Sequence, residues 1–395
     1  MTVLSSFSNQ LLRLSTCLIL LWAVAACSSR PETGALTANT QPAKGAEAHD
    51  ILIATTRERD PRPGTLFNGE RSITLNFAEA VVSVPPSHKP GAVEWPSAAP
   101  GNPKTDFVTR RADYIDSEQK FVSDLNRKLA SLPKGKREIM LFIHGYNTHF
   151  AEGLYRYVQI VHDANSTTVP VFFTWASRGK LQNYVYDLNS AAIARDGLEK
   201  TLMLLARSNA EKISILAHSM GNYLLMETGR QMSRASHKTL NRKLDSVVMA
   251  APDIDIDLFK ATLRRLGRPP KPYIVVVSQD DSALRASRAI AGGIERLGAY
   301  SNDEELAELG AIVFNVTELE TAETSNHSKF AALAQYSTEL QKALLSSGLA
   351  DGSSINGTTT LGDNLGSLVG NTAQSAVTLP IKIIAAPFSG QPAGL

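Results

Sequence analysis

The sequence predicts an α/β protein: a doubly wound, mainly parallel sheet with helices on both faces and antiparallel strands at its N-terminal edge. Three observations predict it. From residue 138 onward short apolar runs alternate with helical patterns, and two runs of period-two alternation precede them. The third is a single junction, where the apolar run Ile213-Ser214-Ile215-Leu216-Ala217-His218 turns at Ser219 directly into the helical pattern Tyr223-Leu224-Leu225-Met226.

Taken in order, the first strand is expected at Asp50 to Arg57, and the alternating runs Ser72–Phe77 and Ala80–Val84 as two strands at an antiparallel edge. Prolines and glycines from 88 to 115 argue for ordered loop. A helix follows over Ser117–Leu132, then Glu138–Ile143, a continuous apolar strand of the kind buried on both faces, ending in His144-Gly145-Tyr146-Asn147. Helices are expected at Ala151–Asp163 and Ser190–Arg207 around a strand at Val169–Trp175. Strands at Ser246–Ala250, Tyr273–Ser278 and Ala311–Val316, a helix near Ser282–Arg288 and a last helix at Lys329–Leu345 complete the pattern. In such sheets functional groups gather in loops at the carboxyl ends of strands.

The 395 residues are 43% hydrophobic and 20% charged, a globular composition large enough for one α/β domain with extensions. The net charge of +2 falls to about +1 without Arg13, the only charged residue before Cys27, which leaves no electrostatic case for nucleic acid. The apolar run Cys17–Ala26 is too short to span a bilayer but suits the core of a secretory signal. Its end, Val24-Ala25-Ala26-Cys27 followed by Ser28, resembles a bacterial lipobox. That resemblance implies a signal peptide over 1–26, an acylated Cys27 and an outer-membrane lipoprotein whose domain lies in the periplasm. With Cys17 removed and Cys27 acylated, no thiol remains for a disulfide or a sulfur-bound metal. Residues 27–48 read as a flexible tether, 49–345 as the folded domain and 346–395 as a low-complexity tail, whose apolar run Val377–Ile384 can dock back.

Chemistry centres on Ser219. A serine at a strained strand-to-helix turn needs small residues two before and two after it, here Ala217 and Gly221. It also needs a histidine base, a carboxylate to orient that base, and donors for an oxyanion. In sheets of this kind the order is serine, acid, histidine. Only His237 and His327 follow Ser219; His237 sits among basic residues and is expected to face solvent, which leaves His327 as base. Asp281 at the end of a strand is the preferred acid, with Asp280 and then Asp253 as alternatives. The backbone N–H groups of Met220 and Tyr146 are the expected oxyanion donors, with Gly145 permitting the bend. His144 is expected to brace its loop and His218 to be a structural neighbour of the serine. Segments 176–187, with Tyr184 and Tyr186, and 258–272 are candidates to line a pocket.

The segments Ile-His-Gly-Tyr-Asn, Phe-Thr-Trp, Ala-His-Ser-Met-Gly-Asn, Ala-Ala-Pro-Asp-Ile-Asp, Asp-Ser-Ala-Leu-Arg-Ala-Ser and Asn-His-Ser together resemble the α/β-hydrolase superfamily. More narrowly, they resemble a poorly characterised bacterial branch of esterase- or lipase-like hydrolases, over about residues 50–345. The resemblance implies the triad Ser219, Asp281 and His327 and no cofactor, and it does not settle a substrate; the chemistry of such a triad leads to the expectation of a serine hydrolase acting on a small-molecule or lipid acyl substrate. A thioesterase or acyltransferase would use the same residues, and a scaffold kept for binding alone is the reading from a different class.

Overall fold

A computed structural model describes residues 32–267, 269, 271–321, 325–337, 340, 359–361 and 381–386. Its strands are β1 Glu47–Asp60, β2 Leu66–Val84, β3 Val108–Ile115, β4 Glu138–Ile143, β5 Val169–Thr174, β6 Lys212–His218, β7 Leu244–Ala250, β8 Tyr273–Val277, β9 Ala311–Asn315, β10 Thr359–Leu361 and β11 Lys382–Ala385. They form one sheet in the order β10-β11-β9-β8-β7-β6-β4-β5-β1-β2-β3. The run from β9 to β1 is parallel, while β2 and β3 at one edge and β11 and β10 at the other are antiparallel.

The helices are α1 Glu118–Ala130, α2 Phe150–Asp163, α3 Tyr184–Ile193, α4 Arg195–Arg207, α5 Met220–Gln231, α6 Arg234–Asn241, α7 Ile256–Leu266, α8 Ser282–Ile290, α9 Asp303–Glu308 and α10 Lys329–Ala332. One face of the sheet is buried by Phe121 and Leu125 of α1, Leu198 and Leu202 of α4, Leu224 of α5 and Phe259 of α7. The other is buried by α2 through Leu154, Tyr157, Val158 and Val161, with Phe330 of α10 beside them. Both faces being covered explains why β4 and β5 read as continuous apolar runs instead of alternating.

Several boundaries differ from the sequence reading, each for a local reason. The two predicted edge strands are one, because β2 is a single 19-residue strand whose pairing with β1 carries register shifts near Thr55–Arg59. Within 88–115, expected as loop, β3 forms where Val108 to Ile115 alternates buried and solvent-facing residues along β2. The predicted helix over 190–207 is two helices that meet at Ala194.

The expected tether is also shorter. Ala35, Leu36 and Asn39 are buried, the Leu36 N–H donates to Gly64 O at 2.8 Å, and Asn39 N–H donates to Thr109 O at 2.9 Å. An apolar Leu36 in an otherwise polar stretch is the residue that anchors it. Residues 27–31, Cys27 included, lie outside the described residues, as does the signal segment 1–26. At the other end α10 stops at Ala332 and a 3₁₀ turn follows at Ala334–Tyr336, while most of the remainder of the predicted helix to Leu345 lies outside the described residues. Of the tail, β10 and β11 join the sheet: β11 docks the predicted apolar run against β9, pairing Ile383 with Phe314.

The chain moves from β4 to β5 on one side and then to β6 on the other, so the winding reverses between β4 and β6. Loops leaving the carboxyl ends of these two neighbours diverge and leave a crevice, which is where sites form in open α/β sheets. The loop after β4 starts at His144, and Ser219 follows β6 directly.

Candidate active site

Ser219 is 3% exposed and joins β6 to α5 with φ 52° and ψ −126°, a backbone conformation that costs of order 1–3 kcal/mol for a residue with a Cβ. Such geometry persists only when its surroundings over-determine it. Here the Ser219 N–H donates to Ala250 O at 3.0 Å, and the Ser219 carbonyl accepts from Asp253 N–H at 3.2 Å and from Asn222 N–H at 3.0 Å. The Asn222 side chain, fully buried, adds donations to Ala217 O, Ser219 O and Ala250 O at 3.0–3.2 Å.

Two glycines let the turn approach the loop after β4. A Cβ at Gly221 would lie 2.5 Å from His144 O, and one at Gly145 would lie 2.7 Å from Ser219 Cβ. Both clashes involve backbone or the serine itself, so neither position accepts a side chain without displacement. Ala217, where the usual motif has glycine, is fully buried and paired with Ile143 and Met249 across the sheet.

The loop from Ser278 to Asp281 follows β8, and Asp281 is fully buried. Its Oδ1 accepts from Leu284 N–H at 2.9 Å, capping α8, while its Oδ2 lies 2.7 Å from His327 Nδ1. One carboxylate therefore closes the loop after β8, starts a helix and meets an imidazole. His327 sits after β9 in a turn, and its backbone carbonyl is 3.3 Å from His218 Nε2, with the two rings 4.7 Å apart. His218 immediately precedes Ser219, so the histidine loop packs on the elbow itself. Desolvation, then the neighbouring His327, pushes the His218 imidazole well below its ordinary range and keeps it neutral.

The two alternative acids are engaged elsewhere. Asp280 receives the buried Lys329 ammonium at 2.8 and 2.9 Å and the Asn326 amide at 2.9 Å. Burial alone would raise the Asp280 carboxyl, but the Lys329 and Ser278 hydrogen bonds outweigh it and hold the group below its ordinary value. Asp253 accepts from Ser287 Oγ at 2.6 Å and Tyr184 OH at 3.3 Å and lies 3.2 Å from Arg296 Nε. His237 is half-buried against Gly229 O at 2.9 Å instead of facing solvent, and it lies on α6.

The loop carrying Tyr146 is held by residues that periodicity could not rank. His144 stacks on Trp175 with rings 5.0 Å apart and 7° from parallel. Its Nε2 accepts from Trp175 N–H at 3.1 Å and its Nδ1 lies 2.7 Å from Gly145 O, which assigns the proton to Nδ1. Burial, then the Arg57 charge, lowers the His144 imidazole well below its ordinary value. Fully buried Arg57 donates to Thr174 Oγ1, Asn68 O, Ser177 O and Thr148 O at 2.8–3.0 Å. Burial pulls its guanidinium down to about 10, so it stays charged at neutral pH. Buried Asp187 completes the frame, accepting from Asn147 N–H at 3.1 Å, Ser177 Oγ at 2.5 Å and Arg178 N–H at 3.1 Å. The signal for Arg57 was a charge at the end of an apolar strand; Asp187 gave none.

Removing Arg57 leaves three backbone carbonyls short of a donor in the interior. Arg57→Met is expected to lower the unfolding free energy by about 3–5 kcal/mol, read from the urea midpoint. An unchanged midpoint would mean that water replaces the guanidinium at no cost.

Residues 117–346, more than half of the chain, match the family described as alpha/beta hydrolase of unknown function (DUF900). The chain belongs to that family. No curated protein matches the sequence. Among solved structures it is similar to Aspergillus fumigatus lipase B, at 15% identity and a TM-score of 0.24, covering 43% of this chain and 35% of the lipase. This α/β-hydrolase chain thus spans about a third of that lipase's length. It is also similar to Trichoderma reesei cutinase in complex with a C11Y4 phosphonate inhibitor, at 10% identity and a TM-score of 0.27, covering 57% of this chain and 87% of the cutinase. A third likeness, to fungal esterases from Rhizomucor miehei, has 12% identity and a TM-score of 0.30 over 75% of this chain and 85% of the esterase.

Proposed function

We propose that this α/β-hydrolase is a serine hydrolase of an ester or related acyl substrate, working through Ser219, His327 and Asp281. The observation that carries the proposal is Ser219 in the strained elbow conformation, with φ 52°, beside a histidine loop whose ring pairs with a buried carboxylate. In this reading Ser219 Oγ attacks the acyl carbon while His327 Nε2 takes its proton. Asp281, bonded to Nδ1, fixes the ring and stabilises the imidazolium. The oxyanion rests on backbone N–H groups of Met220 and Tyr146. Met220 opens α5, whose first N–H groups have no intrahelical acceptor and lie at the positive end of the helix dipole. His327 then returns the proton to the leaving alcohol, and water, deprotonated by the same ring, releases the acid.

An apolar rim supports an acyl substrate. Tyr146 packs edge-on against Tyr184 and its hydroxyl donates to Leu181 O; Leu181 and Val185 next to it are 70% and 64% exposed. The lipobox-like segment supports the further proposal that lipid on Cys27 anchors the protein to the bacterial outer membrane. Among the described residues no helix is long and apolar enough to cross a membrane. The activity is tested by treating the full chain with a fluorophosphonate and mapping the adduct by tandem mass spectrometry. The expected result is one adduct, on the peptide containing Ser219; no adduct on the folded protein, or one on another serine, would refute the proposal.

A further inference from the structure

Three of the eight histidines converge far from Ser219. Glu47 and His49 lie two residues apart at the start of β1, so they project to the same side of the strand. His162 lies in the last turn of α2. Because β1 runs parallel to β5 and α2 returns from the carboxyl end of β4, this cluster sits at the amino ends of the strands, across the molecule from the elbow. His49 Nε2 is 3.0 Å from His162 Nδ1, and Glu47 Oε2 is 3.7 Å from the same nitrogen. All three ligand atoms lie within 4.8 Å of one another.

We propose that Glu47, His49 and His162 bind a zinc ion that clips the start of β1 to the end of α2. Tetrahedral zinc holds nitrogen and oxygen ligands at about 2.0–2.2 Å, which separates them from one another by roughly 3.3 Å. The observed 3.0 and 3.7 Å bracket that spacing. Two imidazoles and a carboxylate suit zinc, whereas magnesium and calcium take oxygen ligands.

The neighbouring group of His88, His162 and Asp163 is a poorer choice of ligands. His88 is bonded on both ring nitrogens, to Glu94 Oε2 at 2.7 Å and Asp163 Oδ1 at 2.8 Å, and has no lone pair to give when both are N–H donors. Asp163 also accepts from Gly91 N–H and Gln159 Nε2 at 2.6 Å. These bonds fix the end of α2 and so orient His162. In contrast His49 Nε2 and His162 Nδ1 face each other, with the Glu47 carboxylate beside the same His162 nitrogen. Without metal, one proton lies between His49 Nε2 and His162 Nδ1. Zinc entry moves it through solvent to the other nitrogen of the same ring, freeing both lone pairs.

The test is calorimetric titration of zinc chloride into the full chain in detergent after treatment with a chelator. One zinc per chain is expected, with a rise in melting temperature as ligand linkage requires. His49→Ala and His162→Ala should each weaken binding at least about tenfold and abolish the melting shift. His237→Ala, on α6, should change neither. Should a histidine variant fail to fold, Glu47→Gln at an exposed carboxylate serves, with the same loss of affinity expected. Absence of binding to the wild type, or equal binding in His49→Ala, His162→Ala and Glu47→Gln, would overturn the proposal.

Discussion

Ser219→Ala and His327→Ala are each expected to lower kcat/KM on an activated aryl ester by about 10⁴-fold or more, and the double variant by no more than either alone. The reason is that nucleophile and base act as a unit: a serine without a base is a poor nucleophile, and a base without the serine has nothing to activate. Some acceleration over water should survive in every variant, because oxyanion donors and substrate binding do not depend on either side chain. Stability should barely change in Ser219→Ala. The hydroxyl is not what holds the turn; the donations from Asn222 and Asp253 to the Ser219 carbonyl, and from the Ser219 N–H to Ala250 O, use backbone atoms that alanine keeps. Steady-state kinetics and thermal melts on the same preparations check both halves. Additive losses in the double variant, or full activity in Ser219→Ala, would sink the assignment of these two residues to one reaction.

Much of this was legible in the sequence because the signals were local. The strand, turn and helix at 213–226 follow from apolar spacing around a serine with Gly221 two residues on, and the structure has that junction where the pattern puts it. Gly145 was legible as a bend, though not as the residue whose missing Cβ makes room for Ser219. Asp281 was preferred over Asp280 in the sequence, but Asp280 stayed open as an alternative. They are adjacent, both follow a strand, and what divides them is Lys329, 49 residues away from Asp280, which no local pattern pairs with either. Arg57 and Asp187 were missed for the same reason: they act on the loop at 144–149 through hydrogen bonds between distant segments. The error at the N-terminal end has a different origin. Leu36 is a short contact embedded in polar sequence, where composition predicts solvent and one apolar residue decides otherwise, whereas the apolar run that pairs β11 with β9 was legible as one able to dock back.

Asp281→Asn is expected to lower kcat by about 10⁴-fold at neutral pH with little loss of stability. Asparagine caps a helix as well as aspartate does, so the bond to Leu284 N–H that starts α8 survives. The change falls on the other oxygen. An amide N–H facing His327 Nδ1 donates where the carboxylate accepts, which moves the imidazole proton to Nε2 and leaves that nitrogen unable to take the proton of Ser219. Asp280→Asn reverses the pattern. It weakens the partner of a buried ammonium, 2% exposed at Lys329, so its cost should appear mainly as a lower melting temperature with activity within about tenfold of wild type. Kinetics and melting of the two neighbouring variants, measured side by side, separate orientation of the histidine from support of its loop. If instead Asp280→Asn loses activity and Asp281→Asn keeps it, the acid is Asp280 and the 2.7 Å contact at Asp281 is a helix cap with a histidine resting on it.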